Sequence, residues 1–166
     1  MSRPQLGPAQ LAALVDRHIG TSDWFAIDQA MIDGFAEVTM DHQFIHVDPA
    51  GAARTAFGGT VAHGFLLLSL LSRMSCQALP PIEHAAMTIN YGVNRLRFVS
   101  PVRADARVRG HFGLAAVDSK APDRLLLTYD VTMETDTGPK PALVAQWLVL
   151  TVLHPARSAP VRLEPT

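Results

Sequence analysis

Asp41 and His46, five residues apart in DHQFIH, are the two side chains of this sequence best suited to moving a proton. A carboxylate and an imidazole sharing one water can take a proton from it and hold the remaining oxygen in place. Downstream, Phe57-Gly58-Gly59-Thr60 leads into His63-Gly64 and a strongly apolar segment that reads as a helix. The first backbone N–H groups of a helix have no partner inside it and hold a negative oxygen well. Proton transfer beside a developing oxyanion is the chemistry these residues allow. A spacing of five does not keep two side chains on one helix face. The pair is therefore expected on a loop that folds back over a rigid scaffold.

Along the apolar helix Gly64, Leu68 and Ser72 fall on one line, with Ser69 and Cys76 beside it. Ser72 either back-bonds to its own helix or bonds the Asp41 carboxylate. Drawing Ser72, His46 and Asp41 as a hydrolase triad fails, because no G-x-S-x-G turn exists to expose the serine. His42, His46 and His63 match no zinc-ligand spacing, so no metal is expected. His63 either packs at the start of the helix or reaches substrate. No G-x-G-x-x-G or P-loop is present, which leaves nucleotide redox and phosphoryl chemistry unsupported. Arg103, Arg107 and Arg109 read as a solvated sheet face. Arg95 and Arg97 lie where a strand pattern breaks and are candidates for binding a ligand phosphate.

The positioning elements come in a simple order. Residues 8–19 read as a short helix, and 21–27 as an extended segment or turn. Asp28 can cap a second helix over 29–39, with Met31, Ile32, Phe35 and Val38 on one side. A third, shorter helix is expected to start at Pro49 and run through the Ala-rich PAGAARTA. The central helix, about 63–78, has no solvated face in its first turns and should be wrapped by a curved sheet. Met87, Ile89, Tyr91 and Val93 alternate with smaller or polar residues, and the parity then changes near Val93–Asn94, which suggests a bulge. Ala104 to Phe112 and Leu125 to Met133 repeat period 2, while Ala142–Leu153 is apolar on both faces. The layout is α+β: N-terminal helices over about 8–39, a catalytic loop over 40–62, the central helix, and an antiparallel sheet over about 85–153. A loose tail follows at 155–166, and all of 1–166 reads as one domain.

Bulk properties narrow the function classes. A chain of 166 residues with 48% hydrophobic and 17% charged side chains can bury a sizeable core. Its net charge of −1 gives no electrostatic case for nucleic acid or an anionic membrane. Cys76 is the only cysteine, so no internal disulfide can form. The N-terminus lacks the apolar core of a signal peptide, and Gly64–Leu71 is too short to cross a bilayer. A soluble, cytoplasmic protein is expected.

The stretch FAEVTMDHQFIHVDPAGAARTAFGGTVAHGFLLLSLLSRM, with NYGVNRLRFVSPV further on, resembles the MaoC-like (R)-specific enoyl-CoA hydratases, in particular their nodulation protein N-like branch. The resemblance implies a hot-dog fold and a homodimer whose acyl-CoA tunnel runs near the subunit interface. It implies an acyl-CoA or acyl-carrier-protein thioester as substrate and no cofactor. Residue by residue, Asp41 and His46 match the catalytic pair, Gly64 the oxyanion-hole glycine, and Ser72 the serine that supports the aspartate. Gln43 stands where many relatives have asparagine and can still position water. His63, Arg95 and Arg97 are candidate substrate contacts. Two other readings remain. A hot-dog thioesterase would need a carboxylate on the long helix, and none lies between Gly64 and Pro80. The other is a non-catalytic dimer that binds acyl thioesters.

Overall fold

The computed structural model describes residues 4–154, so the tail expected at 155–166 lies outside it. Five helices and six strands run in the order α1 (Pro8–Ala12), β1 (Arg17–Thr21), β2 (Phe25–Ile27), α2 (Gln29–Thr39), α3 (Phe44–Val47), α4 (Pro49–Ala53), α5 (Gly64–Ala78), β3 (Ala85–Phe98), β4 (Ala106–Ala121), β5 (Arg124–Thr135) and β6 (Leu143–Leu153). The strands form one antiparallel sheet in the order β1-β4-β5-β6-β3, with β2 also pairing β4. This is the expected α+β layout of a sheet packed on a central helix.

The N-terminal region departs from the helix expected over residues 8–19, while the extended segment expected over 21–27 holds strand β2. The first helix stops at Ala12 rather than reaching residue 19. Asp16, at φ 62°, turns the chain into β1, where Arg17 pairs with Leu114 and Thr21 with His111. Phe25–Ile27 then pairs with Val108–Ala106. The free edge of β4 offers hydrogen bonds that a short, marginal helix cannot match, so tertiary pairing overrides local propensity.

The alternation read in the sequence decides what the sheet buries. Val108, Phe112, Leu127, Met133 and Leu143 point inward and are buried against Leu67, Leu71 and Met74 of α5. Burying each such side chain stabilises the fold by roughly 1.5–3 kcal/mol. The wrapping of α5 is incomplete within one chain: Phe65 is 64% exposed, and Ser69, Arg73 and Cys76 continue the open stripe. The far end of α5 is held closely. A Cβ on Gly20 of β1 would overlap the Ala78 carbonyl in the last turn, so only glycine fits there.

β3 is an edge strand and carries two irregularities beyond its start. Its register shifts between Asn90 and Gly92 and again between Asn94 and Arg97. Two bulges thus flank the single parity change expected near Val93–Asn94. Because Thr88 pairs with buried Thr151 and Asn90 with buried Val149, those two side chains face the concave side of the sheet. Most of β3 is exposed nonetheless. Among the described residues, no helix is long and apolar enough to cross a membrane.

Candidate active site

Three short elements deliver the dyad to the N-terminus of α5. Asp28 accepts a hydrogen bond from the Met31 N–H at 2.8 Å and fixes the start of α2. The helix ends at Met40, whose left-handed backbone (φ 60°) turns the chain sharply before Asp41. His46 then sits on the single turn of α3, and Asp48 caps α4 by accepting from the Gly51 N–H at 3.0 Å. The approach to α5 is tied to the sheet: the Ala62 N–H donates to the Val102 carbonyl at 2.8 Å, and the Ala104 N–H to the Thr60 carbonyl at 3.0 Å.

His46 is 8% exposed, and its Nδ1 lies 2.6 Å from the Val61 carbonyl. A carbonyl can only accept, so Nδ1 carries the proton and Nε2 is left with its lone pair. That is the tautomer a general base requires. The His46 backbone is clamped as well, because the Gln29 amide donates to its carbonyl at 2.8 Å. The same amide donates to Asp33 at 2.7 Å, and its oxygen accepts from the Thr60 hydroxyl.

His63 ties the Asp41 backbone to the His46 ring. It is 3% exposed, its Nε2–H donates to the Asp41 backbone carbonyl at 2.9 Å, and its ring stacks on His46 with centroids 3.8 Å apart. Phe35 of α2 packs on it, with ring centroids 5.0 Å apart. Within the chain the ring is enclosed and offers little surface to a ligand. Asp41, by contrast, is exposed, and one side-chain ligand atom each from Asp41, His46 and His63 lies within 4.8 Å of the others. Such proximity could suggest a cation. However, the His46 and His63 planes meet at only 25°, so their in-plane lone pairs run side by side instead of converging. A shared water suits the set better. Neighbouring His42 bonds Glu37 at 2.9 Å, which raises its pKa, and it takes no part in the cluster.

Gly64 opens α5 as expected, and among the described residues its N–H has no acceptor. The Phe98 ring packs against its Cα: an added Cβ would lie 2.8 Å from that ring. A cavity of about 200 Å³ lies beside it, lined also by Ala62, Leu67, Val99 and Ser100. Phe98 ends β3, so Arg95 and Arg97 stand at this same end of the sheet. Both are exposed, and Arg95 occupies the second bulge at φ 51°. Gln43 is exposed at the start of α3, and its side chain makes no hydrogen bond to that helix.

Ser72 does not reach Asp41 within the chain. It lies eight residues beyond Gly64, about 12 Å along the helix, and accepts from the Asn90 amide of β3 at 3.0 Å. Within the chain, therefore, Ser72 supports Asn90 and not the aspartate. Its actual surroundings are a larger cavity of about 670 Å³ between the C-terminal half of α5 and strands β3, β5 and β6. No carboxylate or histidine lines this space; its polar side chains are hydroxyls, the Asn90 amide, the Cys76 thiol and the Trp147 indole. The carboxylate and imidazoles lie at the small cavity's end of α5, and the greater volume at the other.

Several of these groups left no trace in sequence patterns. Gln29 reads only as a polar residue after a helix cap, and Val61 contributes a carbonyl that any residue would have. The capping signal at Asp28 was the nearest pointer to Gln29.

Comparison with known proteins adds the evolutionary context. Residues 10–134 match the family model described as MaoC like domain. Nodulation protein N of Rhizobium meliloti (strain 1021) is 45% identical over 152 residues, covering 91% of this chain and 94% of that one. The 3-hydroxyacyl-thioester dehydratase Z of Mycobacterium tuberculosis (strain ATCC 25618 / H37Rv) is 41% identical over 141 residues, 85% of this chain and 93% of its own length. Among solved structures, the (R)-hydratase from A. caviae involved in PHA biosynthesis superposes with a TM-score of 0.62 at 28% identity, covering 79% of this chain and 94% of that one.

Proposed function

This chain belongs to the MaoC-like domain family, and from that membership and the geometry around Asp41 we propose that it is a hydro-lyase interconverting trans-2-enoyl and (R)-3-hydroxyacyl thioesters. The observation carrying this reading is His46, held with Nδ1 on a carbonyl and Nε2 bare, beside an unpaired carboxylate and a free helix N–H. The printed names of the Mycobacterium dehydratase and the A. caviae hydratase supply the reaction class. That of nodulation protein N supplies none.

In hydration, Asp41 and His46 grip one water. Its oxygen bonds to C3 of the enoyl thioester while His46 Nε2 takes a proton, and electron density moves through C2 onto the thioester oxygen. The Gly64 N–H meets that oxygen as it gains charge; one such donor is typically worth ~2.7–4 kcal/mol. The imidazolium then returns its proton to C2, the carbonyl reforms, and water has been added with nothing left over. Dehydration runs the same path backwards. No cofactor is called for, and Gln43 stands at the mouth where it can hold a second water.

The functional unit in this reading is a homodimer in the cytoplasm. β3 is fourteen residues long with one unpaired edge, and such edges seek partners. A two-fold axis through that edge pairs β3 with its own copy antiparallel. The two α5 helices then also run in opposite senses, which sets the dyad of one chain beside the large cavity of the other. The acyl tail enters that cavity, and Arg95 and Arg97 meet the phosphates of CoA or of a carrier protein's pantetheine arm.

The test is loss of enoyl-thioester absorbance when purified protein meets crotonyl-CoA and longer homologues. Hydration of any of them supports the proposal. If folded protein hydrates none, or releases free thiol instead, the proposal fails.

A further inference from the structure

The large cavity is walled by more unpartnered polar groups than a plain alkyl chain needs. Tyr129 of β5 lines it and is 4% exposed, yet its hydroxyl has no hydrogen-bond partner among the described residues. Burial pushes its pKa far above the usual phenol value, so it stays a neutral donor. Thr151 of β6 lines the same space, is fully buried, and has a hydroxyl that is also without a partner. Native proteins pair nearly all such groups, because leaving a buried donor unmet is costly. Ser75 is already satisfied by the Ser72 carbonyl at 2.9 Å, and Ser72 by Asn90. The Tyr129 hydroxyl, which keeps accessible surface, and the sealed Thr151 hydroxyl are therefore specific features of this wall. Tyr129 faces Trp147 across the strand pair, and Thr151 lies four residues beyond Trp147, about 13 Å further along the sheet. A chain threading the cavity would pass both.

We infer that this cavity selects ligands whose chain carries an oxygen function distant from the thioester, with Tyr129 and Thr151 as the groups that recognise it. The inference rests on the hydratase reading only for naming the chain as an acyl thioester. An oxygen on the tail accepts from the Tyr129 hydroxyl, and a longer tail reaches Thr151 only by displacing the atoms that seal its hydroxyl. A purely alkyl tail strips water from the Tyr129 hydroxyl and gives nothing back. A site built to bond a substrate hydroxyl discriminates against the analogue that lacks it far more strongly than an apolar pocket discriminates by size.

Binding decides the matter without requiring turnover. Calorimetry would compare saturated acyl-CoAs from hexanoyl to dodecanoyl with their terminal-hydroxy counterparts, on wild type, Tyr129→Phe and Thr151→Val. Some length of hydroxy ligand should bind at least about tenfold tighter than its alkyl parent, and that ratio should fall towards one in Tyr129→Phe or Thr151→Val. Alkyl parents binding as tightly at every length would overturn the inference, as would a preference that survives in both variants. If one variant does not fold, the wild-type ratio and the other variant decide. Hydration of the matching trans-2-enoyl pair is scored separately: a tail preference without hydration leaves this inference standing and removes the proposed reaction, and hydration without preference does the reverse.

Discussion

The two ends of α5 are built on opposite plans. At the N-terminus, polar side chains are held by backbone: His46 on the Val61 carbonyl, His63 on the Asp41 carbonyl, and Gln29 on the His46 carbonyl. Little volume is left there. At the C-terminal half the backbone stands back, and side-chain hydroxyls line an open space of about 670 Å³. Proton transfer requires atoms fixed to a few tenths of an ångström, whereas chain recognition requires room and a few polar markers. One helix serves both by keeping them about two turns apart. The larger of these two hollows thus has neither carboxylate nor imidazole in its wall.

The contrast can be broken from its rigid end first. Asp41→Asn and His46→Gln should each lower kcat/KM for crotonyl-CoA by about 10²-fold or more, with circular dichroism and melting temperature close to wild type. Full activity in either variant would remove that residue from the chemistry. Next comes the union of the two ends across a dimer. Tyr91→Lys with Val93→Lys on the exposed β3 edge should convert a dimer to a monomer in sedimentation velocity. Activity should fall by about tenfold or more, because each dyad loses the cavity of its neighbour. An active monomer would return both ends to one chain. Smaller still is Gln29→Ala, which frees the His46 carbonyl and the Thr60 hydroxyl. About a tenfold loss of kcat with little change in KM is expected, since the base is loosened while the cavity is untouched.

The smallest effect lies away from both ends and serves as a control. Glu134 bonds Arg109 at 2.8 Å and His111 at 2.7 Å, and both hold its pKa below the ordinary value of 4.5. A carboxylate with a depressed folded-state pKa stabilises above its unfolded value and loses that contribution as pH falls through the folded one. The melting temperature of wild type should therefore drop more steeply below pH 4.5 than that of Glu134→Gln. Equal slopes would show that this half-buried network adds nothing. At neutral pH, hydration rates of the two should match.

The same division governs what could be read from the residues alone. α2 with its Asp28 cap, the opening of α5 at Gly64 and the period of β4 are local patterns, and they stand in the fold as expected. β1 was hidden because Arg17–Thr21 has no alternation of its own and exists only through the edge of β4. At the site, Asp41 and His46 were legible as residue types in a loop. The part played by His63 was not, since a buried ring spanning loop and helix looks in sequence like any histidine before a glycine. Helix periodicity lines Ser72 up with Gly64 but fixes angle and not reach, so it names no partner for the hydroxyl. The strand that supplies Asn90 decided its partner instead.

Gly20 shows how finely the roomy end is set. Its bare Cα lies against the Ala78 carbonyl, so the last turn of α5 rests on the outermost strand as a beam rests on a shim. A single methyl at that point would tilt the beam and change the headroom over Tyr129 and Thr151. The dyad, anchored at the opposite support, would not move. Tail preference could thus drift through a position that touches no ligand.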